Sequence, residues 1–405
     1  MKSTVARRIA ALADAALRWR DADFAPRVRT TRAICDRTGY TEPVVDFALD
    51  ALFGEIDETA LRATIVSELG SLDALDGFVE RPGRPSVFFR ALARTTIVSS
   101  DTTIGVAIPT LAFAICAGCD VVVKDRDDRL VAAFVASVVE ELPELADRIT
   151  TGVWDGGSDE AATSAHIADA DVVIAYGANA ALAAIRSQVR ADARFVGYGH
   201  RTSVGYVARE TLASAIATRD AAHGLARDAL LYDGDGCLSL HAVFVETNGA
   251  LSARDFARHL GDACETTALE FPAAFTERDR AVVAYERAAR FREAQGLGAV
   301  LAGVASPHLL VFDPPITDVP PLLRRTVAVY GVAGPAEATA FLHAHRVPLE
   351  GVALDAHSRD DVVTFARECG AARIAAFGTL QRPPLGGDHG GHPRMLPFVR
   401  SVYRG

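Results

Sequence analysis

Ala117-Gly118-Cys119-Asp120-Val121-Val122-Val123-Lys124 is the stretch on which the fold class turns. Its three consecutive valines show no polar alternation, which is the pattern of a strand covered on both faces in a parallel sheet. Outward from this run, strand and helix signals alternate. Upstream, Thr103-Ile-Gly-Val-Ala-Ile108 reads as a strand and Pro109 to Gly118 as a short buried helix. Downstream, Arg129 to Leu145 reads as a helix. Asp171-Val-Val-Ile-Ala-Tyr176 reads as a strand that closes at Gly177, with a helix from Asn179 to Val189. This βαβ alternation predicts a doubly wound α/β sheet of the nucleotide-binding type. No GxGxxG fingerprint occurs in it, so a cofactor cannot be argued from that motif.

Residues 1 to about 80 carry a helical pattern, and Arg81-Pro-Gly-Arg-Pro85 breaks it. From about Gly205 a second α/β region begins. It holds a charged helical stretch from Glu277 to Gln295, strands near Leu309–Phe312 and Thr326–Tyr330, and a βα alternation from Val352 to Phe377. The segment Leu380 to Arg394 is too rich in Gly and Pro for regular structure, as functional or surface loops are. The expected division is a helical N-terminal region (1–85), a nucleotide-binding domain (86–204), a catalytic domain (205–370) and a tail (371–405) that returns to the active site.

With 405 residues, 50% of them apolar, the chain can bury a large core in two domains or lobes. Lys+Arg is 42 against Asp+Glu 52, and no basic cluster carries interleaved aromatics, which argues against nucleic acid. The six cysteines are scattered, which fits a reducing compartment rather than a disulfide scaffold. Cys116-Ala-Gly-Cys119 has no second pair at zinc-site spacing. The N-terminus lacks a signal-peptide pattern, and the apolar stretch Ile104–Cys119 is short and broken by Pro109. A cytoplasmic protein without a membrane span is expected.

Chemistry concentrates at Asp233-Gly-Asp-Gly-Cys237, followed by the β-like Leu238-Ser-Leu-His-Ala-Val-Phe-Val-Glu246. Glycines beside a cysteine let a substrate carbonyl reach the sulfur and nearby N–H groups, which is how a thiol is presented as a nucleophile. A buried cysteine opening a strand is the competing reading.

Five segments together resemble the acyl-CoA reductases of the LuxC type, a branch of the aldehyde dehydrogenase superfamily. They are Thr38-Gly-Tyr-Thr with Ala48-Leu-Asp-Ala-Leu-Phe53, then Ala117 to Lys124, then Asp169 to Gly177. The fourth is Asp228 to Ser239. The fifth is Gly378-Thr-Leu-Gln-Arg-Pro-Pro384 with His389-Gly-Gly-His-Pro. The thiol segment and the C-terminal loop are the specific ones. The resemblance implies an aldehyde-dehydrogenase-like fold and an NAD(P)H-dependent reduction of an acyl thioester to the aldehyde through an acyl group on Cys237. The acyl donor would be a CoA thioester, a carrier protein or an acyl-protein synthetase, and the protein a homo-oligomer. An aldehyde or semialdehyde dehydrogenase working oxidatively, or a non-catalytic partner-binding homologue, are the alternatives.

Within that resemblance, Lys124 would meet the cofactor's ribose or 2′-phosphate. Arg126 would grip a 2′-phosphate, which favours NADPH; Asp127 would repel it, which favours NADH. The resemblance points to NADPH. Gly177 and Asn179 open a helix whose N-terminus can face the pyrophosphate, although Asn179 also suits an N-cap. Hydrolytic aldehyde dehydrogenases carry a glutamate upstream of the cysteine to activate water. The matching stretch, Val196 to Ser203, has no carboxylate, which favours a reductase. His200 in that stretch is the candidate acid/base. The family's oxyanion asparagine is replaced by Ala107, with Thr110 as the substitute donor. Gln381, Arg382 and His389 are expected in one loop over the acyl or nicotinamide side; no metal is expected there.

Overall fold

The structure is a computed structural model. It describes residues 4–100, 103–154, 160–273, 280–303, 307–312, 316, 318–319, 321–355 and 357–405. The chain forms two compact units. The first comprises Met1–Thr38, Val45–His200 and Pro384–Gly405; the second comprises Gly39–Val44 and Arg201–Pro383.

In the first unit, helices α1 (Thr4–Trp19), α2 (Ala25–Thr38), α3 (Glu42–Gly54, from Val45 on) and α4 (Glu58–Leu69) come first. A hairpin follows, β1 (Val79–Arg81) and β2 (Arg84–Ala91). The α/β run is then β3 (Arg94–Val98), α5 (Ala107–Ala117), β4 (Asp120–Lys124), α6 (Leu130–Glu141), β5 (Ile149–Gly152), α7 (Glu160–Asp169), β6 (Val172–Tyr176), α8 (Asn179–Gln188) and β7 (Arg194–Tyr198). The five strands are parallel, in the order β5-β4-β3-β6-β7. The first strand of the run therefore lies in the middle, and the order reverses between β3 and β6. In open α/β sheets, ligands bind outside the carboxyl ends of the strands at such a switch point.

The valines of β4 and all five residues of β6 are buried or nearly so, as strands covered on both faces must be. The segment read as a strand at 103–108 is not one. Gly105 has φ +66°, the chain turns there, and α5 begins at Ala107. The strand that precedes α5 is β3. A run such as Ile104 to Cys119 reads alike as buried strand or buried helix, because both are apolar all round. The N-terminal helices lock onto this unit through Trp19, whose ring packs 4.9 Å from Phe53 and whose Nε1 donates to Ser137 Oγ of α6 at 3.0 Å.

The second unit contains β8 (Thr202–Val207), α9 (Ala215–Leu230), β9 (Leu240–Glu246), α10 (Ala253–Glu270), α11 (Arg280–Ala294), β10 (Ala299–Ala302), β11 (Leu309–Phe312), β12 (Thr326–Val332), α12 (Pro335–Ala344), β13 (Leu349–Leu354), α13 (Asp360–Glu368) and β14 (Arg373–Ala376). The start of the expected Glu277–Gln295 helix, up to residue 279, lies outside the described residues. The sheet order is β10-β11-β12-β9-β8-β13-β14, parallel except for the β10–β11 pair. Along β9, Val243 and Val245 pack in one core cluster with Leu225 and Phe256 of α9 and α10. Ala242 and Phe244 pack in another with Phe341 and Phe365 of α12 and α13. The two-residue period thus buries both faces.

The last strand, β15 (Val399–Arg404), pairs antiparallel with β2. It was not legible in the tail, because five of its six residues are partly or fully exposed and only Val399 is buried. No helix among the described residues is long and apolar enough to cross a membrane.

Candidate active site

Cys237 stands at the entry to β9, on a loop held by strain and by buried bonds. After α9, Tyr232 and Asp233 both take left-handed conformations, at φ 55° and 53°, and Gly234 follows at φ +82°. Non-glycine residues there cost about 1–3 kcal/mol each and persist only where the surroundings over-determine them. The buried Arg325 does so: its Nε donates to Asp233 Oδ1 at 2.6 Å and its backbone N–H to the Asp233 carbonyl at 3.0 Å. Its Nη2 donates to the Phe271 carbonyl at 2.7 Å. Tyr40 Oη donates to the Tyr232 carbonyl at 3.3 Å. Beyond Gly234 the loop closes on itself, with Gly236 N–H donating to Ser239 Oγ at 3.1 Å and Ser239 N–H to the Gly236 carbonyl at 2.9 Å. Ser203, at the start of β8, donates to the Cys237 carbonyl at 3.0 Å.

Cys237 as a residue is half-buried, and its thiol is the more enclosed part. Burial pushes its thiol up to about 12, and the Glu350 carboxylate adds to that push; Arg201 and the N–H groups of Cys237 and Leu238 pull the other way. Glu350 is the residue that sequence reasoning missed. It sits on β13, where the register with β8 slips between Leu349 and Gly351. Bulges of this kind re-aim a side chain next to a functional site. The stretch Val196 to Ser203 lacks a carboxylate, as read from the sequence; Glu350 lies on β13, the strand next to β8. Its only sequence signal was an acidic residue inside an otherwise apolar strand. Four residues past the cysteine, His241 is buried and held down to about 4, a neutral imidazole against Gly234.

In the same unit, Asp228 of α9 anchors the Gly378–Gln381 loop. Its fully buried carboxylate accepts from Gly378 N–H at 2.8 Å and Leu380 N–H at 3.1 Å. Gln381 Nε2 then donates to the Asp228 carbonyl at 3.2 Å and to Ser239 Oγ at 3.1 Å, which ties this loop to the thiol loop. Arg382 is exposed beside it. Gly378 has φ +79°, and a Cβ on it would stand 3.0 Å from the Cα of Gly224 in α9, so a side chain there would be strained and crowded against backbone. Asp228→Asn replaces one acceptor by a donor facing an N–H. A loss of about 1–3 kcal/mol is expected, read as a lower urea midpoint.

The first unit holds the other expected residues. Lys124 ends β4 at the carboxyl edge of the sheet and makes no ion pair among the described residues. The chain has two lysines, Lys2 and Lys124, among its 42 lysines and arginines. Everywhere else it uses guanidinium, so the compact ammonium at 124 is a choice. The following loop is built by Asp125, which accepts from Arg126 N–H at 2.8 Å and Ala132 N–H at 2.9 Å, and by Asp128, which pairs with Arg37 at 2.6 Å. Arg126 is half-buried, its pKa lowered by burial and by Arg37, while Asp127 is exposed. At the end of β6, Gly177 has φ +155° and nothing stands within 4 Å of the place its Cβ would take.

Asn179 does not cap α8. The cap position is Ala178, and the Asn179 Oδ1 accepts from His200 N–H at 3.3 Å. His200 is exposed on the turn after β7. Thr110 Oγ1 and Tyr176 Oη share a buried hydrogen bond at the end of β6. Tyr176 stacks on Tyr198 with centroids 4.7 Å apart, and His389 lies 4.3 Å from the Tyr198 ring. His389 and His392 face each other across Gly390 and Gly391, both at positive φ, as a tight hairpin turn requires. The tail hairpin thus rests on the strand ends of the first unit, whereas Gln381 and Arg382 belong to the second.

The family model of acyl-CoA reductase (LuxC) matches residues 1–401. The chain belongs to this family. As an acyl-CoA reductase family member it is an oxidoreductase acting on acyl or aldehyde groups. Solved structures agree on the fold. A NAD-dependent benzaldehyde dehydrogenase from Corynebacterium glutamicum is 14% identical, with a TM-score of 0.69 over 99% of this chain and 86% of that one. An oxidoreductase from Marinobacter aquaeolei is 14% identical, with a TM-score of 0.73 over 100% and 88%. Aldehyde dehydrogenase 21 from Physcomitrella patens, in complex with succinate, is 10% identical, with a TM-score of 0.69 over 99% and 85%. These likenesses make the acyl-CoA reductase fold that of the aldehyde dehydrogenases. A comparison with curated proteins finds no match.

Proposed function

We propose that the protein reduces an acyl thioester to an aldehyde, with Cys237 carrying the acyl group and a nicotinamide dinucleotide as the reductant. The observation that carries this reading is the thiol itself. It is set at the mouth of β9 by a strained, buried-bonded loop, with the N–H groups of Cys237 and Leu238 turned toward the sulfur. Local strain of this kind clusters at working sites.

The first unit fits a dinucleotide. Its strand order has a switch point, Lys124 stands at the strand edge, and Gly177 leaves open space where a side chain would stand. Lys124 would hold the ribose or its phosphate, Arg126 a 2′-phosphate, and the start of α8 at Gly177 and Asn179 the pyrophosphate. When bound, the cofactor supplies a hydride equivalent to the acyl carbon.

The rest is done by the chain. Cys237 attacks the thioester carbonyl and the thiol of the donor leaves, so one hard step becomes two thioester-level steps. The Cys237 backbone N–H steadies the oxyanion. Thr110, whose hydroxyl shares a hydrogen bond with Tyr176, is the side-chain donor that the sequence reading offers in addition to it. His200, exposed, is the acid/base that remains from the sequence reading. The donor is a CoA thioester, a carrier-protein thioester or an acyl group from a synthetase.

Glu350, a buried carboxylate whose charge bears on the thiol, favours a second reading, oxidation of an aldehyde to the acid. One assay separates the two: acyl-CoA with NADPH or NADH, followed by absorbance loss and aldehyde trapping. Aldehyde formation with cofactor consumption is expected. No consumption with any thioester, together with acid formation from aldehyde and oxidised cofactor, would reverse the assignment.

The cofactor residues have their own signature. Lys124→Ala is expected to raise the KM of both NADPH and NADH about tenfold, and Arg126→Ala to raise that of NADPH alone. Equal effects of Arg126→Ala on both cofactors would remove the 2′-phosphate contact.

A further inference from the structure

We infer that Gln381 is a positioning residue of the reaction: its side-chain amide clamps Ser239, and Ser239 holds the turn that aims the Cys237 N–H at the acyl oxygen. The inference rests on Cys237 being the nucleophile.

Cys237 and Leu238 are the two central residues of a β-turn. Ser239 closes the turn twice. Its N–H donates to the Gly236 carbonyl at 2.9 Å, and its Oγ accepts from Gly236 N–H at 3.1 Å. A trans peptide is planar, so holding a carbonyl fixes the N–H on the far side of the same peptide. The bond to the Gly236 carbonyl therefore sets the direction of Cys237 N–H. In the same way the bond from Ser203 Oγ to the Cys237 carbonyl, at 3.0 Å, sets that of Leu238 N–H. The two corner N–H groups take no part in these bonds and are the donors left for an acyl oxygen.

The Ser239 hydroxyl can hold Gly236 only from one of its staggered positions. Gln381 selects that position. Its Nε2 donates to Ser239 Oγ at 3.1 Å and to the Asp228 carbonyl at 3.2 Å. A carbonyl only accepts, so the end of the amide that faces Asp228 is the NH2 group, and its second hydrogen is left for Ser239. The Asp228 carbonyl is among the last four of α9, which a helix leaves without an N–H partner of its own. The Asp228 carboxylate grips the same loop through Gly378 N–H at 2.8 Å and Leu380 N–H at 3.1 Å. One residue of α9 thus seats both the loop and the amide at its end, and α9 itself leads into the thiol loop. Asp228 and Ser239 are fully buried and Gln381 is 7% exposed, so these bonds are made out of water. A buried network of this kind rigidifies what it holds only while every member is satisfied.

The consequence is kinetic. Charge develops on the acyl oxygen in the transition state, so a donor aimed there raises the rate of acylation and leaves binding of the acyl donor nearly unchanged. Gln381 does not need to touch the substrate to have this effect.

The test is the rate of acylation of the whole protein by acyl-CoA without nicotinamide, followed by intact mass over a range of acyl-CoA concentrations. Gln381→Met keeps the length of the side chain and loses both donors; Ser239→Ala removes the hydroxyl they act on. Each is expected to lower the maximal rate about 10- to 100-fold and to leave the half-saturating concentration within about twofold. Because Gln381 acts through Ser239, the double variant should be no more than about twofold slower than the slower single variant. Alkylation of Cys237 by iodoacetamide, which needs no oxyanion donor, should stay within about threefold of wild type in both. Losses that multiply in the double variant overturn the inference. So does a raised half-saturating concentration at an unchanged maximal rate, or an alkylation rate that falls as far as acylation does. Ser239→Ala carries the test alone if Gln381→Met does not fold, and a wild-type rate in it is fatal. If the wild type takes up no acyl group at all, the nucleophile reading falls and this inference with it.

Discussion

Turnover of acyl-CoA by Cys237→Ser is expected to fall by at least about 10³-fold, with the fold intact. Serine keeps the shape and the backbone N–H groups, yet its hydroxyl is a far weaker nucleophile. The other five cysteines do not replace it. Cys116, Cys119 and Cys264 are buried. Cys35 lies in the first unit. Cys369 follows α13 and lacks the Gly-Asp-Gly run that precedes Cys237 in its loop. The measurement is steady-state aldehyde formation, with circular dichroism as the control for folding. Full activity in the serine variant would remove Cys237 from the chemistry.

Arg325→Met is expected to cost about 3–5 kcal/mol of stability, because it leaves the Asp233 carboxylate buried without its partner. Both side chains are almost fully buried and 2.6 Å apart. The same change releases Tyr232 and Asp233 from left-handed conformations, so kcat should fall even at temperatures where the variant stays folded. The double variant Arg325→Met with Asp233→Asn tests the cause. Removing both charges should restore part of the lost stability but not the lost kcat. Urea unfolding read against kcat separates these effects. A double variant no more stable than Arg325→Met would mean that the ion pair is not what the single change broke.

The alternation of β4, α6, β6 and α8 was legible because strands covered on both faces read as unbroken apolar runs. The same rule misread 103–108. A turn at Gly105 and a fully buried helix have no polar side to tell them from a strand. Cys237 was legible from its glycines. Glu350 was not, because its charge bears on the thiol from a strand more than a hundred residues later in the chain, at a bulge that leaves no mark on local periodicity. Asn179 was read as a possible cap, but its amide is spent on the His200 N–H across a turn. Lys124 carried a signal that local patterns hide: it is one of two lysines in a chain otherwise built on arginine. Arg325 and Asp233 gave no signal, since a buried pair far apart in sequence looks like two ordinary surface charges.

The most direct test is to incubate the protein with an acyl-CoA in the absence of any nicotinamide and to measure the mass of the intact chain and of the peptide containing Cys237. The expected result is one acyl group per chain, on Cys237, lost when NADPH or NADH is added and recovered as aldehyde. A chain that stays unmodified, or one acylated elsewhere while Cys237 remains free, would contradict it.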